Sequence, residues 1–270
     1  MTRSELIASI HAQKSFLCVG LDTDIQRIPK HLLQESDPVF AFNKAIIDAT
    51  KDFCVAYKPN IAFYESMGAA GWESLRKTLE YIPSTHFTIA DAKRGDIGNT
   101  SAMYAHTFFK TYPFDSVTVA PYMGKDSVQP FLDWKDKWTI LLALTSNPGA
   151  DDFEQLTTSS GKAVYEEVLS KATAWASPDQ LMFVAGATRV EGLRHLRSLV
   201  PDYFLLIPGV GAQGGNLKEV ADAAMTKDVA ILVNASRSIL YASSGEDFAE
   251  AAKAEARSMQ LEMQELLAAL

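Results

Sequence analysis

Residues 88–100 have the sequence Thr-Ile-Ala-Asp-Ala-Lys-Arg-Gly-Asp-Ile-Gly-Asn-Thr. The apolar run that ends at Asp91 predicts a β-strand over residues 86–92. Side chains alternate along a strand, so we expect Asp91 and Lys93 to point to the same side. Asp96 follows a glycine turn and lies off the strand. Sheets of α/β proteins bind ligands where such strands end, so this stretch predicts a charged ligand site, with a surface salt bridge as the alternative.

Further apolar runs of strand length occur on both sides of this unit, roughly every thirty residues, and each precedes a helical pattern. Eight such units predict the α/β class and a single (β/α)8 TIM barrel that covers residues 1–270, without a linker or a second domain. The predicted strands are 16–22, 54–60, 86–92, 115–121, 138–146, 180–188, 203–211 and 229–234. Helices are predicted at 2–13, from Asp37-Pro38 onward, and at 64–80, 125–135, 162–176, 191–199 and 246–270.

The composition limits the possible partners and compartments. The chain has 270 residues, 47% of them hydrophobic, and a formal charge of −8 without a basic run, which argues against a nucleic-acid partner. Cys18 and Cys54 lie in apolar runs, which predicts buried free thiols in a reducing compartment. The N-terminal Met-Thr-Arg-Ser-Glu-Leu lacks the long apolar core of a signal peptide, and no apolar stretch approaches the length of a membrane span. We therefore expect a cytoplasmic protein with no membrane partner.

Polar residues follow several of the other predicted strands. Asp22 ends the first strand, Lys58 the second and Ser146 the fifth, and Arg237 follows the eighth. At the carboxyl end of a barrel strand such side chains face the ligand. Each also has a local alternative, because Asp22 could cap a turn, Ser146 could be a turn serine, and Lys58 and Arg237 could be solvated charges. Arginine in particular suits bidentate phosphate binding.

Two loops differ from the rest. After the seventh strand the chain has Pro-Gly-Val-Gly-Ala-Gln-Gly-Gly at residues 208–215, whose glycines expose backbone N–H groups of the kind that cradle phosphate. Residues 149–161 form a long polar loop, to which we assign no function. Asn60, after the second strand, also receives no role.

The last helix has an apolar stripe that predicts core packing: Phe248, Ala252, Met259, Met263, Leu266 and Leu270.

The pattern Asp-x-Lys-x-x-Asp-Ile-x-x-Thr at residues 91–100 resembles the signature of orotidine 5′-monophosphate decarboxylase in its longer bacterial form. The resemblance recurs at five other strand ends and covers nearly the whole chain. It implies Lys93, Asp91, Asp96 and Lys58 as catalytic residues. It implies substrate contacts from Asp22 to ribose hydroxyls, from Ser146 to the pyrimidine amide edge, from Gln213 to phosphate and base, and from Ile97, Thr100, Pro208, Ser236 and Arg237. Many members have glycine where this chain has Ser236, so the chain departs from the family pattern at this position.

The implied reaction is the conversion of orotidine 5′-monophosphate to UMP and CO2, the last step of de novo pyrimidine biosynthesis, without metal or cofactor. In this scheme Lys93, kept protonated by neighbouring carboxylates, stabilises the charge that develops on C6 and then protonates it. The resemblance also implies a homodimer in which Asp96, Ile97 and Thr100 reach the neighbouring subunit's site.

Two other functions stay open. A related metal-dependent sugar-phosphate decarboxylase or aldolase shares the Asp-x-Lys-x-x-Asp pattern but typically has an acid after the second strand to hold Mg²⁺. This chain has Lys58 there, and no His or Cys cluster supplies other metal ligands. A non-catalytic nucleotide-binding barrel is the third interpretation, and the complete charged array argues against it.

Overall fold

The computed structural model describes residues 1–187, 190–210 and 215–270. Within these residues, eight parallel strands form a closed barrel in which neighbours in the sequence are also neighbours in the sheet. The predicted (β/α)8 barrel is thereby confirmed. The strands are β1 (Leu17–Leu21), β2 (Ala56–Pro59), β3 (Phe87–Arg94), β4 (Ser116–Val119), β5 (Trp138–Leu144), β6 (Leu181–Ala185), β7 (Phe204–Pro208) and β8 (Ile231–Ala235).

Helices alternate with the strands as the sequence predicts. They are α1 (Arg3–Gln13), α2 (Pro38–Thr50), α3 (Ile61–Glu65), α4 (Gly68–Tyr81), α5 (Gly98–His106), α6 (Lys125–Leu132), α7 (Ala150–Phe153), α8 (Val164–Ala172), α9 (Val190–Leu199), α10 (Leu217–Ala224), α11 (Arg237–Leu240) and α12 (Phe248–Ala268). A short 3-10 helix lies at Lys30–Gln34, and α5 continues into a π-helical turn at Thr107–Thr111. No helix in the described ranges combines the length and the apolarity needed to cross a bilayer.

Helix α2 begins where its sequence predicts. The Asp37 side chain accepts a hydrogen bond from the Phe40 N–H at 3.1 Å, and Pro38 occupies the first helical position. The apolar stripe of the helix is buried, with Phe42 stacked on Phe248 of α12 at a centroid distance of 5.2 Å. The cap therefore fixes the start of the helix, and the stripe fixes the face that it buries.

The single helix predicted at 64–80 is wrong, because the chain forms α3 and α4 there. Gly68 starts α4 with φ 64°, a left-handed conformation that interrupts a continuous helix. Gly71 lets the two helices pack closely, since a Cβ at this position would lie 1.9 Å from the Tyr64 carbonyl oxygen. The apolar periodicity continued across this break and did not reveal it.

The end of the last helix also differs from the prediction. Helix α12 ends at Ala268, and Leu270 is 58% exposed, so Leu270 does not belong to the buried stripe. Phe248, Ala252 and Met263 are buried as expected.

The chain consists of two compact units, and the first contains residues 1–7 and 93–233. In this unit β4, β5, β6 and β7 pair in parallel. Trp138 of β5 packs edge-on against Phe204 of β7 at 6.0 Å, and its indole N–H donates to the Met1 carbonyl oxygen at 2.9 Å. The terminal ammonium of Met1 lies 2.8 Å from Asp115 Oδ1. The N-terminal residues are therefore held against the strands of this unit.

The second unit contains residues 8–92 and 234–270. Strand β1 pairs with β2 in a register that places Gly20 beside Lys58. Both cysteines are buried free thiols, as the sequence predicts, and burial raises the pKa of Cys54 to about 12. The prediction of one domain over residues 1–270 stays a prediction.

Candidate active site

Three of the predicted site residues meet in a buried charged cluster of the second unit. Lys58 Nζ lies 2.8 Å from Asp91 Oδ2 and 3.8 Å from Asp22 Oδ1. The Lys58 side chain is only 5% exposed, and those of Asp91 and Asp22 are 10% and 20% exposed. Lys58 is therefore not a solvated charge, and the local alternative that the sequence left open is excluded.

The charge of Lys58 is stabilised by its two partners. Burial alone lowers the pKa of a lysine, but the carboxylates of Asp91 and Asp22 outweigh it and raise the pKa of Lys58 above its usual value. With two carboxylates and one ammonium the cluster has a net charge of −1 when all three groups are ionised. Asp22 Oδ1 is buried and faces Lys58 Nζ at 3.8 Å without accepting a hydrogen bond within the described residues, so the part of Asp22 that a ligand hydroxyl can reach is the exposed 20% of its side chain.

A polar network lies behind the end of β1 and was not predicted from the sequence. Asn43 accepts a hydrogen bond from the Thr23 hydroxyl at 2.6 Å and donates to the Tyr64 hydroxyl at 2.9 Å. Tyr64 in turn donates to the Leu21 carbonyl oxygen at 3.1 Å. The network therefore holds the residues on both sides of Asp22. Its members come from separate helices and strands, so no local sequence pattern links them.

Tyr241, after β8, holds the same turn from the other side. Its hydroxyl donates to the Asp22 carbonyl oxygen at 3.0 Å and accepts from the Asp24 N–H at 2.8 Å. Arg27 packs over the Tyr241 ring, with Cζ 3.8 Å from the centroid. The backbone around the Asp22 carboxylate is thus fixed by side chains that lie far away in the sequence.

Asn60 has a structural role that the sequence did not assign. It is the N-cap of α3, with its side-chain oxygen accepting from the Ala62 N–H at 3.2 Å. It also forms an isolated parallel bridge with Asp91. Asn60 therefore ends β2, just beyond Lys58, and starts the next helix.

The serine that replaces the expected glycine at position 236 is accommodated by another glycine. A Cβ on Gly20 would lie 1.9 Å from Ser236 Oγ, so the hydroxyl occupies space that only glycine at position 20 leaves open. Asn234 donates to the Ser236 hydroxyl at 3.2 Å. Arg237, the first residue of α11, is exposed.

Lys93 belongs to the first unit and has an unusual backbone. Strand β3 extends to Arg94, beyond the predicted end, but Lys93 has φ 46°, in the left-handed region. Its N–H donates to the Thr118 hydroxyl at 2.8 Å. Simple strand alternation therefore does not determine the direction of this side chain, contrary to the reasoning from the sequence.

Asp96, Ile97 and Thr100 lead from β3 into α5. The Asp96 carboxylate accepts a hydrogen bond from the Ile97 N–H at 2.8 Å, and Ile97 directly precedes the helix. Ile97 is 54% exposed and Thr100 is exposed as well. The segment thus presents an apolar side chain, Ile97, on the surface of its own unit.

The residue before Ser146 is held by the loop 149–161, to which the sequence assigned no function. Glu154, just after α7, accepts from the Thr145 N–H at 2.7 Å and from the Thr145 hydroxyl at 2.9 Å. Gly186 permits a close approach on the other side, since a Cβ there would lie 2.8 Å from the Ser146 backbone nitrogen. The segment 149–161 therefore contains a short helix and a carboxylate that holds Thr145, the residue before Ser146.

Two further predicted residues lie at the end of β7 and beyond it. Pro208 is the last residue of this strand, and its carbonyl oxygen accepts from the Ala187 N–H at 3.2 Å. The prediction for Gln213 lies outside the described residues. Across residues 1–187, 190–210 and 215–270, no group of three or more His, Cys, Asp or Glu side chains is arranged to hold a metal ion.

The chain is similar to known proteins over nearly its whole length. The sequence pattern of the Orotidine 5'-phosphate decarboxylase / HUMPS family matches residues 15–254. A Christiangramia forsetii protein named orotidine 5'-phosphate decarboxylase is 58% identical over 266 residues, covering 97% of both chains. One of the same name from Bacteroides fragilis is 55% identical over 273 residues and covers both chains completely.

A solved structure, Leishmania donovani OMP decarboxylase, superposes with a TM-score of 0.81 at 33% identity and covers 97% of this chain and 99% of its own. Identity at this level over nearly the full length, together with the buried lysine and carboxylates at the strand ends, makes this chain a member of the orotidine 5′-phosphate decarboxylase / HUMPS family.

Proposed function

We propose that the protein decarboxylates orotidine 5′-monophosphate to UMP and CO2, the last step of de novo pyrimidine biosynthesis, without a metal or a cofactor. The observation that carries the proposal is the 58% identity, over 97% of both chains, to a protein named for this activity. The buried cluster around Lys58 supports the proposal. Its carboxylates can accept hydrogen bonds from ribose hydroxyls, and its charged groups are held in fixed positions beside a reacting group.

In the proposed reaction, the bond between C6 of the pyrimidine and its carboxylate breaks, and CO2 leaves without the bonding electron pair. The pair remains on C6 as a developing carbanion. The ammonium of Lys93 stabilises this charge and then transfers a proton from Nζ to C6. The products are UMP and CO2, and Lys93 regains its proton from water.

Asp91 and Lys58 complete the charged array. Asp91 lies two residues before Lys93 on β3 and is fixed by its 2.8 Å contact with Lys58. An ionised Asp91 repels the substrate carboxylate in the ground state, and the departure of CO2 relieves this repulsion. Lys58 holds the Asp91 carboxylate in one position through this ion pair, so the role of Lys58 is electrostatic.

The remaining predicted residues bind the parts of the substrate that do not react. Asp22 accepts hydrogen bonds from the ribose hydroxyls at the exposed part of its carboxylate. Arg237 and Gln213 bind the phosphate, and this remote binding energy helps to assemble the site. Ser146 contacts the pyrimidine amide edge, while Pro208 and Ser236 line the binding site.

We further propose a homodimer in the cytoplasm, in which each site takes Asp96, Ile97 and Thr100 from the partner subunit. The exposed apolar side chains of the first unit support a protein partner on this segment, with Ile97 54% and Met103 62% exposed. The buried free thiols are consistent with a reducing compartment. A two-fold axis repeats each contact, so both sites of the dimer would be shared.

The direct test is the loss of orotidine 5′-monophosphate absorbance, with and without EDTA. Turnover should persist in EDTA, whereas activity that disappears on chelation and returns with Mg²⁺ would favour the metal-dependent relatives. Lys93→Ala should abolish turnover while the fold is retained. More than about a tenth of wild-type activity in this variant would exclude Lys93 as the general acid, because general acids contribute at least about a hundredfold.

The shared site is tested by mixing two inactive dimers, Lys93→Ala and Asp96→Asn. If they are unfolded, mixed equally and refolded, each mixed dimer regains one complete site, so about a quarter of wild-type activity should return. Mixed dimers isolated through two different tags but lacking activity would show that Asp96 serves its own chain.

A further inference from the structure

The backbone of Lys93 is held in a conformation that its sequence does not favour. Its φ of 46° lies in the left-handed region, where the Cβ of an L-residue approaches a neighbouring carbonyl oxygen. Such residues persist only when the surrounding structure holds them, and they concentrate at functional sites. A tertiary contact must therefore stabilise this conformation.

The contact comes from Thr118 of β4. Its hydroxyl oxygen accepts a hydrogen bond from the Lys93 N–H at 2.8 Å, and the residue is only 1% exposed. Threonine is branched at Cβ, so its first side-chain torsion is restricted and the hydroxyl has a defined position. Thr118 therefore offers a rigid acceptor to the N–H of Lys93.

The residue after Lys93 is fixed by different contacts. The Arg94 carbonyl oxygen accepts from the Ala120 N–H at 2.8 Å. The Arg94 guanidinium lies over the rings of Tyr104 and Phe108, at 5.5 and 5.4 Å from their centroids. Arg94 is thus held by its own contacts, and the Thr118 hydroxyl acts directly on the backbone of Lys93.

We propose that Thr118 is a positioning residue for the reaction, because its hydroxyl holds Lys93 in the left-handed conformation from which the ammonium reaches the reacting carbon. The inference rests on the role of Lys93 given under the proposed function. Without the hydroxyl, the backbone at Lys93 can relax toward an extended conformation, which changes the direction of its Cα–Cβ bond. The ammonium would then be displaced while the groups that bind phosphate and ribose stay in place.

The test replaces Thr118 by valine, which has a similar shape but no hydroxyl. We expect kcat to fall about 10- to 100-fold, the loss associated with a displacement of about 1 Å, while KM and the Kd for UMP stay close to wild type. Thr118→Ser keeps the acceptor and should restore most of kcat. Activity is expressed per UMP-binding site, so that a smaller folded fraction does not imitate the effect.

Thr139 provides a matched control on the adjacent strand β5. It is fully buried, and its hydroxyl has no hydrogen-bond partner within the described residues. Thr139→Val makes the same chemical change in the same kind of environment and should leave kcat per site unchanged. If Thr118→Val does not fold, Thr118→Cys replaces it, since a thiol is a weak acceptor, and the same loss of kcat is expected.

The inference is overturned if Thr118→Val, or Thr118→Cys in its place, turns over at the wild-type rate per site. It is also overturned if Thr118→Ser is as impaired as Thr118→Val, or if Thr139→Val shows the same loss. Failure of the proposed function would be distinct, because the wild-type protein and Thr139→Val would then both be inactive on orotidine 5′-monophosphate.

Discussion

Replacing Asp91 by asparagine should destabilise the folded chain far more than the same change at an exposed ion pair. The substitution keeps the size of the side chain and removes only its charge. Lys58 then keeps a single carboxylate, Asp22 at 3.8 Å, and its side chain remains 5% exposed. Removing one member of a buried ion pair leaves an incompletely compensated charge, which costs about 3–5 kcal/mol.

The geometry indicates the lower end of this range. With an effective dielectric constant of about 20, the Coulomb attraction is about 6 kcal/mol at the 2.8 Å of the Lys58–Asp91 contact and about 4 kcal/mol at the 3.8 Å of the Lys58–Asp22 contact. The second attraction survives, and the asparagine oxygen can still accept a hydrogen bond from Lys58. We therefore expect a loss of about 3 kcal/mol, which lowers Tm by about 6–12 °C for a chain of this size.

The measurement is thermal and urea unfolding of both proteins at neutral pH. The control is Asp222→Asn, which breaks a contact of nearly equal length, 2.7 Å to Lys218, whose side chains are 67% and 54% exposed. Exposed pairs of this type contribute at most about 1 kcal/mol. Equal shifts in Tm for Asp91→Asn and Asp222→Asn would refute the argument, because burial would then make no difference.

The alkaline pH dependence follows from the same contact. Since the carboxylates raise the pKa of Lys58 in the folded state, its stabilising contribution is fully present below the unfolded pKa of about 10.4. It is lost only as the pH rises from there through the folded value. The difference between wild type and Asp91→Asn should therefore stay constant from neutral pH to about pH 9.

Three further predictions concern other parts of the chain. Arg237→Ala should weaken the binding of UMP much more than that of uridine in calorimetric titrations, and equal losses would remove Arg237 from the phosphate site. Glu154→Gln weakens a charge-assisted hold on Thr145, so KM should rise several-fold with a smaller change in kcat if Ser146 contacts the substrate, and an unchanged KM would contradict this. Burial lowers the pKa of His86, so the folded state should lose stability as the pH falls below about 6.5, where the unfolded histidine takes up a proton. His86→Gln should show a smaller decrease over this range in urea unfolding, and an equal decrease would assign the effect to other groups.

The sequence predicted the barrel because its strands and helices are defined by local apolar patterns. The prediction failed where a helix is interrupted without any change in the apolar pattern. This happens at Gly68, whose left-handed φ separates α3 from α4. The short helix α7 was also missed, because it has only four residues, two of them aspartates, in a polar stretch that resembles a loop. Both features depend on how the chain packs in three dimensions.

The candidate site, like the fold, was predicted from the sequence only in part. Asp22, Lys58 and Asp91 could be selected because each ends an apolar strand, and the structure brings these three together. Strand alternation could not show the left-handed backbone of Lys93. Its partner Thr118 is an ordinary strand residue by sequence, so only the tertiary contact identifies it.

The Lys58–Asp91 pair is better explained by function than by stability, and a double replacement can separate the two. Buried ion pairs can often be replaced by apolar residues of similar volume with no loss of stability, whereas breaking them singly is costly. Lys58→Met with Asp91→Leu should therefore recover most of the stability that Asp91→Asn loses, because no unpaired ammonium remains and Asp22, 20% exposed, can be hydrated. Decarboxylation should nevertheless be abolished. Unfolding curves and turnover are measured on the same preparation. A double variant less stable than Asp91→Asn would show that the pair is needed for folding. A double variant that keeps its decarboxylase activity would remove the pair from the catalytic site.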